Sequence, residues 1–289
     1  MVKYPKRVVC FDSNVEAQRR AKVLCADLSA FPGETFMFRS LRNRTFGQKI
    51  HSYSKVTSTN DVAYRLALEG GVEGEVVLAR EQTRGKGRGN HYWFSPPGSL
   101  SFSLILRPQG IASSQLSGLN ILGAVGIAIT CGKMFPTLSP QIRWPNDTVI
   151  GKRKVGGVLC RARYKEDKVI FVVMGIGVNL NIEEFPPFLL STATSLKREL
   201  GYTVEKETFL RTLLQEVEEL YIASEQDFSS ILDRARLHSS LLGKRIKVQS
   251  RQGEIAGLAQ DLDEEGNLIL RLESGIQRKI TPEEGCLRL

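Results

Sequence analysis

Across residues 206–223 the apolar side chains Phe209, Leu210, Leu213, Leu214, Val217, Leu220 and Tyr221 return every three or four positions, the period of one face of an α-helix. That spacing predicts an amphipathic helix laid on a core. Residues 113–135 are apolar nearly all round and predict a long buried helix, whose uninterrupted run, 121–131, is too short to cross a bilayer. A third helix is expected to begin at Thr59 or Asn60 as N-cap, to place Val62, Ala63 and Leu66 on one face, and to stop at Gly70 and Gly71. Short apolar or alternating runs at 76–78, 100–106, 141–150, 155–164 and 169–177 read as strands, with Gly151 and Lys152 as a turn. Beyond His238 the pattern changes to short strands at 244–249, 254–262, 267–272 and 275–280, the signature of a small β-barrel. Ahead of residue 50 a helix is expected over 14–28, then a break at Pro32 and Gly33 and an extended stretch through Phe36 and Phe38. This segment reads as an appendage or cap.

Composition bounds the answer. With 42% hydrophobic and 25% charged residues over 289 positions, the chain can bury one large core and one small one. The net charge of +9 is concentrated. Residues 1–50 carry 10 cations against 4 acids, which is +6, and leave only +3 for the remainder, so the basic balance does not imply a nucleic-acid face on the main body. Five scattered cysteines, without a Cys-x-x-Cys pair, and three isolated histidines argue for a reducing compartment and against a zinc site or a histidine triad.

The chemistry is concentrated in three runs. Residues 84–89 alternate Arg84, Lys86 and Arg88 with Gly85, Gly87 and Gly89, a loop whose open backbone and cations suit phosphate or carboxylate oxygens. A dinucleotide fingerprint would have to open into a helix, whereas Pro96, Pro97 and Gly98 follow, and no Walker-type spacing occurs. A solvated basic turn stays open at this point. The second run is Arg143, Trp144, Pro145, Asn146 and Asp147, with Lys154 and the pair Gly156 and Gly157 downstream. There Asn146 and Asp147 can bind a metal or a sugar hydroxyl. In the third, Gly175 and Gly177 end an apolar strand before Asn179, leaving backbone against which a flat ligand could lie.

Taken together, Ser58, Thr59 and Asn60, residues 82–96, 143–159 and 175–179 resemble the biotin protein ligase family in order and spacing, and the likeness spans roughly residues 48–289. The glycine loop is most similar to that of the eukaryotic holocarboxylase synthetase branch, and Arg143 stands where the family usually has lysine. The resemblance implies an α+β fold: a mixed β-sheet catalytic domain with flanking helices, similar to class II synthetases and lipoate ligases, and a small C-terminal SH3-like β-barrel. It divides the chain into a basic extension (1–47), a biotin- and ATP-binding domain (48–238) and the barrel (239–289).

It further implies an ATP-dependent, AMP-forming ligase that makes biotinyl-5′-AMP with Mg²⁺-ATP and passes biotin to a lysine of a carboxylase carrier domain. Arg88 and Lys154 are the implied catalytic cations. Biotin would be bound by Ser58, Thr59, Asn60, Gln82, Gly85, Lys86, Arg88, Lys154, Gly157, Gly175 and Gly177. ATP would be bound by Lys86, Arg88, Trp93, Arg143, Asn146, Lys154 and Asn179, with Trp93 stacking on adenine and Asn146 and Asp147 as metal ligands. The glycine loop would double as a lid. A lipoate or octanoate ligase of the same fold and a non-catalytic carrier-binding module are the alternatives. No membrane partner is expected, nor DNA binding, because the first 50 residues show one helix pattern rather than two. A homodimer stays open, and the expected location is cytoplasmic, with an organellar form open.

Overall fold

The computed structural model describes residues 7–10, 45–166, 168–250 and 253–288. The helix expected over 14–28, the break at Pro32 and the stretch through Phe38 lie outside them. Eight strands form one mixed sheet, in the order β1 (Arg7–Cys10), β2 (Lys49–Val56), β3 (Val76–Gln82), β4 (Leu100–Leu106), β8 (Lys168–Val178), β7 (Arg153–Lys165), β6 (Asp147–Ile150), β5 (Pro140–Arg143). Only β2 and β3 run parallel, and α1 (Thr59–Leu68) is the crossover between them. Parallel neighbours cannot be joined by a tight turn, so a helix is needed there.

Alternation along β4 and β8 divides the sheet into two faces. Phe102, Leu104, Met174 and Ile176 point to the larger core, which is shared with α2 (Leu119–Met134) and α4 (Lys206–Gln226). Ile105, Phe171 and Val173 point to the smaller core beneath α1. Further along this second face β4 carries Ser101 and Ser103, and β8 carries Gly175 and Gly177. Here the apolar cover ends and the cleft begins.

The predicted helix over 113–135 is a 3-10 turn at Ser113–Gly118 continuing into α2. Together they are long and apolar enough to span a bilayer, yet most of that length is buried inside the protein, as a core helix should be. The predicted strand over 141–150 is in fact two, β5 and β6, paired as a hairpin whose turn is Trp144, Pro145 and Asn146. Pro145, which has no N–H to give a ladder, falls in the turn for that reason, and its bond to Trp144 is cis. The chain continues through α3 (Leu196–Leu200), α4 and α5 (Ser229–Leu237).

After α5 comes a second, antiparallel sheet of five strands: β9 (Arg245–Ser250), β10 (Gly253–Leu262), β11 (Leu268–Arg271), β12 (Gln277–Ile280) and β13 (Gly285–Arg288). Four of these were legible, and β13 was not. The second sheet is seated firmly on the first body. A Cβ at Gly266 would lie 2.8 Å from Ile121 of α2, and its φ of +81° also favours glycine. Arg236 of α5 donates to Asp261 and to the carbonyl of Leu262.

Candidate active site

One wall of the cleft is the first turn of α1. Ser58 is the N-cap, with φ −157°, one residue earlier than expected, and its side chain makes no capping bond. Thr59 and Asn60 therefore lie inside the helix, their side chains turned toward β3 and β4. Thr59 N donates to Gln82 Oε1 at 2.8 Å, which aims the Gln82 amide nitrogen away from the helix. Asn60 donates from Nδ2 to the carbonyl of Leu159 at 3.1 Å and fills the space above Gly175, where any Cβ would collide with its amide. The Asn60 amide thus serves packing.

Residues 83–99 form the second wall. No α-helix starts in this loop, which holds only a short 3-10 turn at Arg88–Asn90; it folds back as a small hairpin, with Gly87 N donating to His91 O at 2.7 Å and Trp93 N to Gly85 O at 2.9 Å. Gly85 is needed because a Cβ would strike the Trp93 carbonyl, so its role is to close the hairpin. The loop is tied down at both sides. Lys86 pairs with Asp61 of α1 at 2.8 Å, and Arg88 Nη1 donates to the carbonyl of Pro282 in the second sheet's last turn. The Trp93 indole lies over Gly177, where a Cβ would sit 2.6 Å from Nε1, and Nε1 is buried without an acceptor. The flat group against this strand is thus a side chain of the protein itself.

The third wall is the β5–β6 hairpin against β7. Gly156 faces Ile127 of α2, so simple alternation would turn residue 154 the same way. A bulge at this point pairs Thr148 with Gly156 and Val149 with Lys154, skipping Val155. The extra residue buries Val155 in the core and turns Lys154 into the cleft beside Gly157. There Lys154 Nζ stands 2.5 Å from Asp147 Oδ1 and 5.1 Å from the centre of the Trp93 ring. Arg143 holds the other oxygen, Oδ2, at 2.9 Å. Burial pushes the Asp147 carboxyl up, but Lys154 and Arg143 outweigh it and hold the group below the usual carboxylate range. Asn146 Nδ2 donates to Val158 O at 2.7 Å, and Asn179 Nδ2 to Thr194 O at 3.0 Å, so both amides are oriented by backbone carbonyls.

These walls enclose two adjoining cavities. The inner one, about 180 Å³, brings Ser58, Thr59, Asn60 and Gln82 together with Lys86, Arg88, Trp93 and Lys154, and with Gly157, Gly175 and Gly177. The outer one, about 380 Å³, shares Arg88, Trp93, Asn146, Asp147 and Lys154 and adds Arg143 and Asn179. Of the residues expected to bind biotin, ATP or metal, Gly85 alone lines neither. Arg88 and Lys154 do converge on shared space. Sequence reasoning missed the apolar side of the outer cavity, Phe94, Phe185 and Leu189, which reads as ordinary core until the loops are placed. His91, which lines both cavities, was also missed, since a lone histidine carries no signal in one sequence.

The donor set does not make a protein-held metal centre. Asp147 spends its oxygens on two cations, and among the described residues no three carboxylate, thiol or imidazole groups gather for a metal. Of the two expected metal ligands, Asp147 is engaged by Lys154 and Arg143 in this structure, and Asn146 Nδ2 donates to the carbonyl of Val158.

Residues 52–179 match the Biotin/lipoate A/B protein ligase family, and residues 241–281 match the Biotin protein ligase C terminal domain. The chain is 34% identical to biotin--[acetyl-CoA-carboxylase] ligase of Paracoccus denitrificans, over 78% of this chain and 95% of that one. It is 30% identical to the bifunctional ligase/repressor BirA of Bacillus subtilis, over 91% and 82% respectively. Among solved structures, biotin protein ligase from Aquifex aeolicus in complex with biotin and ATP superposes with a TM-score of 0.73 at 26% identity, covering 83% of this chain and 98% of that one. Other relatives come from plants, and the eukaryotic character of the glycine loop rests on its letters alone. Two matching segments in the right order, an extended likeness at 34% identity and a shared architecture establish that this chain belongs to the biotin protein ligase family.

Proposed function

We propose that the protein ligates biotin in two steps: ATP converts the biotin carboxylate to biotinyl-5′-AMP and pyrophosphate, and a lysine amine of a carboxylase carrier domain then displaces AMP. The observation that carries this reading is the convergence of Arg88 and Lys154 on one cleft that Ser58, Thr59 and Gln82 also line. A carboxylate attacking a phosphate must overcome repulsion between anions, and two cations fixed where the reactants meet lower that barrier in the first step and stabilise the departing AMP phosphate in the second. Arg88 can bridge two oxygens bidentately, while Lys154 acts as a point charge. Lys86 assists once it leaves Asp61.

In this reading Ser58, Thr59 and Gln82 hold the ureido ring. Gly157, Gly175 and Gly177 act indirectly, by giving room to Lys154, Asn60 and Trp93. The nucleotide occupies the outer cavity, where Arg143, Asn146 and Asn179 supply polar contacts, and Mg²⁺ enters with ATP. Trp93 stacks on adenine after swinging off Gly177. DNA binding is no part of this proposal, and a salt-dependent shift of duplex DNA would overturn that exclusion.

The test is direct. The protein is incubated with ATP, Mg²⁺ and equal biotin, lipoate and octanoate, and the adenylate is identified by mass spectrometry. Biotinyl-5′-AMP is expected. A lipoyl or octanoyl adenylate would move the enzyme to the other branch of its fold, and no adenylate at all would leave a carrier-binding module.

A further inference from the structure

Behind the inner cavity, Ser103 of β4 is fully buried, with its Oγ 2.6 Å from Asn60 Oδ1 and 2.8 Å from Thr59 Oγ1. One hydroxyl carries one proton and cannot serve both. The Asn60 amide is fixed by its bond from Nδ2 to Leu159 O, so Oδ1 faces Ser103 and can only accept. The Ser103 proton therefore goes to Asn60, and the Thr59 hydroxyl must supply the proton between Thr59 and Ser103.

The consequence reaches the cavity. Thr59 Oγ1 has two oxygens for its single proton, Ser103 Oγ at 2.8 Å and Gln82 Oε1 at 3.1 Å. Gln82 Oε1 already accepts from Thr59 N, so the nearer Ser103 Oγ takes the proton, and Thr59 offers the cavity only a lone pair. Gln82 turns its Oε1 to Thr59 N, a donor that cannot be reversed, and keeps its NH₂ for the opposite side. One hydroxyl on β4 thus sets the polarity of the recess without lining it.

We infer that Ser103 is a specificity-determining positioning residue: by holding Thr59 as an acceptor and Asn60 over Gly175, it makes the recess select a head group bearing N–H donors, such as a cyclic urea, over an acid with an apolar end. This rests on the biotin reading above. It goes further in tying the selection to a side chain behind the wall.

Ser103→Ala separates the possibilities when pyrophosphate exchange is measured with biotin and with octanoate, which lacks any N–H. The KM for biotin should rise about tenfold, the scale of one hydrogen bond, with kcat within about twofold and the octanoate KM unchanged. The preference for biotin over octanoate falls by the same factor. A misfolded fraction would lower kcat and leave KM alone, so it cannot imitate this result. Should the alanine variant not fold, Ser103→Cys keeps the shape with a weak donor and should show a smaller rise of the same kind. An unchanged biotin KM, or an equal loss for both acids, overturns the inference while the biotin reading stands. A wild-type protein that does not prefer biotin to octanoate removes both.

Discussion

The Lys154 ammonium is held 2.5 Å from the Asp147 carboxylate, so the cation that faces the substrates is itself positioned by an acid. That acid shares a second cation, Arg143, on the far side. Three charged groups from β5, β6 and β7 thus form one unit whose net charge toward the cleft is positive.

Asp147→Asn should unbalance this unit. Leaving Lys154 and Arg143 without their shared anion should cost about 1–3 kcal/mol in thermal or denaturant unfolding at neutral pH. Because the folded carboxyl lies below its unfolded value, its stabilisation is complete above the unfolded pKa and fades as pH falls through the folded one. The gap between wild type and variant should therefore be widest at neutral pH and narrow below about pH 4. A gap that widened on acidification would contradict this assignment.

Arg88→Ala and Lys154→Ala should each lower biotin-dependent pyrophosphate exchange at least about tenfold, the rate equivalent of roughly 1.4 kcal/mol. Wild-type exchange in either variant would end the electrostatic account of adenylation.

In the proposed cycle Trp93 swings off Gly177 to stack on adenine, carrying an indole N–H that is buried without an acceptor among the described residues. Biotin with ATP should therefore shift the tryptophan emission, and Trp93→Phe should abolish the shift although Trp144 remains. Trp93→Ala should raise the KM for ATP. Emission indifferent to ligand would show that Trp93 stays where it is.

Trp144 donates its indole N–H to the carbonyl of Gly266 at 2.9 Å, joining the β5–β6 turn to the second sheet. Trp144→Phe strands a buried carbonyl and should lower stability by about 1–3 kcal/mol, read from unfolding curves. No change in stability would show that the junction carries nothing.

Much of this was written into the chain. The helical period over 206–223 and the apolar run at 100–106 identified α4 and β4 because each buries one regular face. Local patterns failed where the reason is not local. The expected strand over 141–150 is two strands because the chain reverses at residues 144–146, and a turn between two apolar runs is invisible to periodicity. In the same way β1 and β13 are four-residue edge strands defined by their partners rather than by their letters. Most of the polar side chains that line the cavities were named, and Gly175 and Gly177, expected along the path of biotin, do line the inner one. Each makes way for another side chain, and that shows only once Asn60 and Trp93 are placed. Ser103 gave no sign, because a hydroxyl's importance lies in which atoms it meets across the sheet.

Both links from the second sheet to the cleft, Pro282 to Arg88 and Gly266 to Trp144, end on main-chain oxygens. An acceptor of that kind belongs to every residue type. The last 50 residues can therefore drift far in sequence between relatives and still grip the same two side chains, provided the trace of the two turns is kept. The position of Pro282 is thereby left free, whereas Gly266 keeps its own demand for a positive φ and for room beside Ile121, and hybrids that exchange the terminal module should work when turn lengths match.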